Sequence, residues 1–300
     1  MKNIFGSNHF NTIATHLKKE FGCRIMKLSL DAGFTCPNRD GSKSVGGCIF
    51  CSDDGSGHYA STIPDQIQLL SSKWPTGKYI AYFQSHTNTY APVEQLRTFY
   101  EEALSYPNVI GLSIATRPDC LSEEVLDLLE EFNRKTYLWI ELGLQTIHDA
   151  TRERLNCAYS LSDFNEAMNQ LKKRQIKAIV HLIFGLPWET KKDMLASVDY
   201  IAKLHPFGVK LHLLHVIKNT ELATLYPNEF KTFEKEEYIH FVVDALEKLP
   251  QDITVHRITG DAPQNELLAP LWSIDKRSIL NGVQKEFKRR NSFQGKYYTK

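Results

Sequence analysis

The 300-residue chain predicts an α/β fold: a partial (β/α)6 barrel of the TIM type, with a short N-terminal helix and a C-terminal extension. Three observations carry the expectation. Strand-like apolar runs alternate with amphipathic helical stretches at intervals of roughly 30 residues, the pattern of parallel strands joined by crossover helices. Polar and cysteine residues collect just after the strands. Six strong repeats are complete by residue 216, so an open barrel fits better than a closed one of eight strands.

The elements follow in order. Asn11–Glu20 reads as a short helix packed against the barrel. The strands are expected at Arg24–Leu30, Lys78–Phe83, Val109–Ala115, Tyr137–Gly143, Lys177–Phe184 and Gly208–Val216. Between them, Val93–Leu104, Ser122–Asn133, Ser162–Arg174 and Thr190–Leu204 keep a helical period. Ser122, followed by Glu123 and Glu124, is a cap with acidic residues in the first turn. Beyond the sixth strand, Glu234–Leu249 reads as a helix and Ile253–Ile258 as a further strand. The expected organisation is an N-terminal helical segment (1–20), the partial barrel (21–220) and an extension with a basic tail (221–300).

The strand ends are where function is expected. Gln84 to Asn88, Thr116 to Asp119, Gln145-Thr146 and Gly185 to Glu189 each follow a strand. In β/α barrels the site is built from the loops at the carboxyl ends of the strands, so these groups belong on one rim. The first strand delivers Cys36, Cys48 and Cys51, spaced C-x11-C-x2-C in a glycine-rich loop. Three soft thiolates suit three irons of a [4Fe–4S] cube, leaving the fourth iron open to a substrate or cofactor. Zinc is the alternative, with His58 as a fourth ligand. On the sixth strand the period of two turns Lys210 and His212 to one side, toward the interior or its mouth, as candidates for substrate contact or proton transfer. His256, Arg257 and Asp261 are further candidates near the last strand.

Composition bounds the rest. A chain 42% hydrophobic and 24% charged has the balance of a folded globular protein. Six cysteines are too few for a secreted disulfide scaffold of this size. No apolar run reaches the roughly 20 residues of a membrane helix, and the first ten residues lack a signal core, so a cytoplasmic location without membrane attachment is expected. The net charge of +1 is unevenly spread: Lys285, Lys288, Arg289, Arg290, Lys296 and Lys300 cluster near the end, among Phe287, Tyr297 and Tyr298. Such a tail is either a solvated terminus or a contact for a nucleic-acid backbone.

The cysteine loop, with Phe50 before its last cysteine, on the first strand of a partial barrel, resembles the radical S-adenosylmethionine (SAM) superfamily. The longer first gap, with Ser113 to Asp119, Glu141 to Gln145, His181 to Pro187, Phe83-Gln84 and Lys210 to Val216, is similar to the bacterial YhcC-type branch related to the elongator catalytic subunit. The resemblance spans residues 10 to 280 and implies a barrel of the radical SAM type. It implies a [4Fe–4S] cluster on Cys36, Cys48 and Cys51, and SAM on the open iron. An electron from a donor such as flavodoxin or ferredoxin would cleave SAM to methionine and a 5′-deoxyadenosyl radical, which takes hydrogen from the substrate. Phe50, Gln84, Arg117, Gln145 and Gly185 are the implied cofactor-contacting residues. Arg117 would pair with the SAM carboxylate or with Glu141, and Gly185 would allow adenine a close approach. Where relatives carry Asn-Arg-Gly-His, this chain has Asn156-Cys157-Ala158-Tyr159, which makes Cys157 either an additional reactive thiol or a buried small residue. The implied substrate is tRNA, at the 5-substituent of the wobble uridine. Alternatives are a radical enzyme for a small metabolite and a zinc-stabilised, non-catalytic binding protein.

Overall fold

The computed structural model describes residues 2–6, 8–53, 55, 57–72, 74 and 77–299. Lys300, counted in the basic tail, lies outside them. Helix α1 (Ile13–Phe21) starts at Thr12, whose hydroxyl accepts the Thr15 amide as an N-cap. Six strands follow in order: β1 (Ile25–Leu30), β2 (Lys78–Phe83), β3 (Val109–Thr116), β4 (Tyr137–Gln145), β5 (Lys177–Phe184) and β6 (Gly208–Leu213). Between successive strands lie α2 (Ile63–Ser71), α3 (Val93–Ser105), α4 (Glu123–Lys135), the pair α5 (Asp149–Arg154) and α6 (Leu161–Lys173), and α7 (Lys191–Leu204). Ser122 caps α4 as expected, its Oγ accepting from the Val125 amide.

The chain then makes β7 (Val216–Ile217), α8 (Glu221–Leu225), α9 (Lys235–Lys248), β8 (Thr254–Arg257), β9 (Leu267–Ala269) and α10 (Lys276–Arg289). The partial barrel is present, one strand wider than the six repeats: β8 pairs in parallel with β6, giving the order β1-β2-β3-β4-β5-β6-β8. Strand β6 stops earlier than expected: its ladder to β5 ends with the Leu214 amide on Phe184 O, and Val216 joins the small antiparallel pair β7–β9.

Outside, the helices bury Leu96, Tyr100, Leu129, Phe132, Phe164 and Ile201 against the sheet, forming the main core. Inside, at the amino ends of the strands, Ile80, Trp139 and Ile179 form a second apolar cluster with Leu17 of α1. Helix α1 packs against both β1 and β8, so it closes the bottom of the open barrel. Among the described residues no helix is long and apolar enough to cross a membrane.

The basic C-terminus is not a loose tail. Its first part is α10, with Ile279, Val283 and Phe287 buried and packed beside α9. Arg290 ties α10 to Asp244 and Glu247, while Arg289 bonds Glu286. Gln294 is fully buried, donating to Pro250 O and Ile253 O and accepting from the Asn11 amide. Lys296 donates to Asn291 O at 3.1 Å, so with Arg289 and Arg290 three of the six cations expected to meet solvent or a nucleic acid are occupied by structure.

Candidate active site

The carboxyl ends of the seven strands open into a cavity of about 250 Å³. On β4, Trp139, Glu141, Gly143 and Gln145 succeed one another at the strand period of two. Trp139 belongs to the apolar plug, and the other three line the cavity. Gln145 has φ +67°, a left-handed conformation rare for a residue with a Cβ. The Thr146 amide bonds Leu144 O at 2.8 Å, closing a three-residue turn around Gln145. The amide of Gln145 lies across Gly143, where a Cβ would meet its Nε2 at 2.7 Å. This strand end is bent to place one side chain.

The cysteine loop covers the cavity, and Cys36, Cys48, Phe50 and Cys51 all line it. Its shape is fixed by backbone bonds, Cys51 N to Cys48 O at 2.9 Å and Gly47 N to Asn38 O at 2.8 Å. It is also braced from outside. Asn156, itself left-handed at φ +53°, donates through Nδ2 to Gly47 O at 2.7 Å and Val45 O at 3.0 Å. Buried Asn38 donates to Asn156 O and toward Cys48 Sγ. Arg39 reaches back to the carbonyls of Cys51 and Ser52. Burial pushes the Cys51 thiol up to about 11, and the neighbouring Cys157 thiol with burial pushes Cys48 well above its ordinary value. A bound metal cation would reverse that sign, since it favours thiolate.

The floor is a charged layer above the apolar plug. Glu141 is buried, and its Oε1 accepts from Ser113 Oγ at 2.8 Å, Trp139 Nε1 at 3.2 Å and Lys27 Nζ at 3.4 Å. Its Oε2 meets Lys210 Nζ, and His181 Nε2 at 3.0 Å. Lys210 also donates to Tyr82 Oη at 2.9 Å. Burial alone would raise Glu141, but Lys210, Lys27 and His181 hold it well below the usual carboxylate range. Burial lowers both lysines, against the pull of Glu141. His181 falls to about 4, through burial and then the Lys210 charge. His212 also falls well below its ordinary value, first through burial, and its Nε2 has no hydrogen-bond partner.

The structure gathers most of the residues expected from the sequence. Cys36, Cys48, Cys51, Phe50, Gln84, Arg117, Gln145, Lys210 and His212 share the cavity, as do Arg257 and Asp261. The placement of Arg117 relative to Glu141, of Gly185 and of His58 differs from expectation, and Cys157 takes the buried alternative. Glu141 pairs with Lys210 and Lys27 from across the barrel, whereas Arg117 forms a two-pronged bridge to Asp119 (2.9 and 3.0 Å) and lies over the Tyr159 ring. Gly185 is not among the lining residues; it has φ +95° and the space of a Cβ is taken by Phe233 at 3.1 Å, so the glycine serves a turn and core packing. Cys157 is completely buried, its Sγ 3.9 Å from Cys48 Sγ. His58 is not among the lining residues either; its Nε2 bonds Ser52 Oγ at 3.1 Å. Among the described residues no group of three His, Cys, Asp or Glu side chains forms a metal-ion site.

From the sequence, Lys27, Tyr82 and His181 were given no part in a charged floor, and Asn156 none in bracing the cysteine loop. Lys27 and His181 were legible as polar residues inside otherwise apolar strands. Tyr82 and Asn156 carry no such signal, because a strand tyrosine and a loop asparagine are ordinary.

An open half-barrel of parallel strands, with three cysteines on the rim and a polar cavity beneath, defines a class of cofactor-dependent folds. The radical SAM superfamily model matches residues 36–201, the radical SAM C-terminal domain model matches 206–289, and the chain belongs to that superfamily, which uses SAM. Protein YtqA of Bacillus subtilis is 43% identical over 298 residues, covering 96% of this chain and 92% of that one. Protein YhcC of Escherichia coli K12 is 36% identical over 279 residues, with 90% and 87% covered. A tRNA uridine(34) acetyltransferase of Methanocaldococcus infernus is 29% identical over 158 residues, 51% of this chain and 29% of that one. In solved structures, Elp3 of the same archaeon superposes with a TM-score of 0.68 at 19% identity, over 90% of this chain and 64% of that chain.

Proposed function

We propose that this protein is a radical SAM enzyme of tRNA modification, acting on a substituent of the wobble uridine. The carrying observation is the convergence of Cys36, Cys48 and Cys51 on one cavity whose floor is a buried charged network. The donor set fits a [4Fe–4S] cluster: three soft thiols, Cys36, Cys48 and Cys51, brought by one loop to the wall of one cavity. Held by these three cysteines and with SAM bound, such a cluster would supply hydrogen-atom abstraction once reduced by a flavodoxin- or ferredoxin-like donor.

The remaining work falls to the chain. Asn38, Asn156 and Arg39 hold the cysteine loop in place. Asp119 fixes the Arg117 guanidinium at the cavity wall, where it suits the carboxylate end of an amino-acid cofactor. The bend at Gln145 projects an amide toward the same space. The apolar plug closes the bottom against water and sets a low-dielectric floor under the reacting groups. The choice of tRNA draws on the likeness of half the chain to a tRNA uridine(34) acetyltransferase.

Two measurements test this reading. Anaerobic reconstitution with iron and sulfide should give a brown protein with about four irons per chain. Cys36→Ala, Cys48→Ala or Cys51→Ala should abolish cluster retention, while Cys23→Ala and Cys120→Ala keep it. Equal loss in all five variants would reject the ligand assignment. Nucleoside analysis of tRNA from cells with and without the gene should show one altered wobble uridine, and unchanged tRNA would reject the substrate.

A further inference from the structure

The charged floor holds more cations than carboxylates. Lys27 on β1 and Lys210 on β6 share the single carboxylate of Glu141 inside the barrel. Arg257 and Lys276 likewise share Asp261. Among the described residues lining the cavity, Glu141 and Asp261 are the carboxylates, and the floor histidines are driven toward neutrality by burial. Both oxygens of Glu141 are already engaged, by five donors in all. Tyr82 adds no negative charge: its phenol is pushed toward the protonated form, first by burial and then by Glu141.

The surplus has a location. In the register of β6 and β8, Lys210 stands opposite Arg257, and both line the cavity. His212, two residues beyond Lys210, lines it too and keeps Nε2 without a partner. Arg257 uses Nη2 for Asp261, on the side facing Lys276. An unmatched ammonium in a low-dielectric site is costly, so it is met either by an anion or by loss of its proton.

We infer that Lys210, His212 and Arg257 form an anion subsite that takes a singly charged carboxylate of the substrate. The assignment rests on the reading of this cavity as the active site. Lys276 is about half exposed and its charge is met by solvent, so the buried excess is the single positive charge at Glu141, which one carboxylate matches and a doubly charged phosphate exceeds. A carboxylate has acceptor sites enough for an ammonium, a guanidinium edge and an imidazole N–H together. The group bearing it would hang from the substrate into the barrel, with its anchored end at the floor and its reacting carbon nearer the cysteine loop.

The test uses the anaerobically reconstituted full chain with acetate as probe and inorganic phosphate as comparison, at ionic strength held constant with sodium chloride. Acetate should raise the thermal midpoint saturably, beyond chloride and with higher affinity than phosphate. Arg257→Gln, at the partly exposed end of the subsite, should weaken acetate at least tenfold, and so should Lys210→Met, which removes the surplus charge. Acetate acting no better than chloride, phosphate binding more tightly than acetate, or unchanged acetate affinity in a folded Arg257→Gln would each overturn the subsite. The measurement needs neither tRNA nor turnover. An unaltered tRNA in cells lacking the gene would therefore reject the RNA substrate while leaving the subsite standing.

Discussion

The bottom and the middle of this barrel are lined by the same strands, two residues apart, and they follow opposite rules. At the bottom, Ile80, Trp139, Ile179 and Leu17 exclude water by packing alone. One layer higher, β2, β4 and β5 present Tyr82, Glu141 and His181, joined by Lys210 from β6, a set that would rather be solvated. The difference shows where the fold gains stability and where it gives some up. Apolar burial contributes roughly 25 cal/mol per Å². A buried ion-pair cluster contributes little net stability, or even costs some, while each member becomes expensive to remove alone. The two layers are coupled at one bond, Trp139 Nε1 to Glu141 Oε1.

The sharpest way to break the comparison is to remove the charge and keep the shape. Glu141→Gln leaves Lys27 and Lys210 facing each other without a carboxylate, and should cost about 3–5 kcal/mol. Trp139→Phe keeps most of the plug and orphans one acceptor that has other donors, so about 1–3 kcal/mol is expected. Urea unfolding of both variants checks the order. A larger loss for Trp139→Phe would mean that packing governs both layers. Adding Lys210→Met to Glu141→Gln should recover part of the loss, because the two residues act as one unit.

Acid offers a gentler probe of the same contrast, since the plug does not titrate. His181 and His215 are both lowered to about 4, first by burial, from an ordinary 6.5. Between those values the unfolded chain binds protons that the folded chain refuses. Stability therefore falls as pH drops from about 6.5 toward 4, by about 1.4 kcal/mol per pH unit for each histidine near the middle of the window. Glu141, held below its ordinary value, acts with the same sign, but only as pH falls below about 4.5. Urea midpoints at pH 7, 6 and 5 should decline, and His215→Gln should reduce the slope by about one proton. A slope unchanged in His215→Gln would show that this ring is already protonated in the folded protein.

Much of this contrast was readable beforehand, for physical reasons. The six strands were visible because buried parallel strands are near-continuous apolar runs, and the rim was visible because polar residues follow each run. Glu141 stood out as a charge inside such a run. What could not be read was its partner: Lys210 lies 69 residues away and Lys27 lies 114 away, and only closure of the sheet brings them together. The seventh strand was visible as a run, but its place beside β6 depends on a tertiary pairing. The basic terminus misled because Arg290 and Gln294 look solvated in sequence, while their partners at Asp244 and Pro250 come from a distant helix and turn.

The smallest expected effect comes from the top of the barrel, where the cysteine loop is packed through Ile49, Cys48 and Phe50 and braced from outside by hydrogen bonds. Asn156 makes three side-chain hydrogen bonds to that loop: two through Nδ2, and one accepted by Oδ1 from Ser44 Oγ at 3.1 Å. Asn156→Ala removes all three and places an alanine at a positive φ, for a loss of about 1–2 kcal/mol. Asn156→Gly removes the same bonds without the backbone penalty, so it should unfold closer to wild type. Loss of iron to a chelator separates brace from strain. Both variants should bleach several-fold faster than wild type if the side chain holds the loop. If Asn156→Gly keeps its cluster as long as wild type, the loop is held by its own backbone bonds, and the top of the barrel needs no support from the segment after β4.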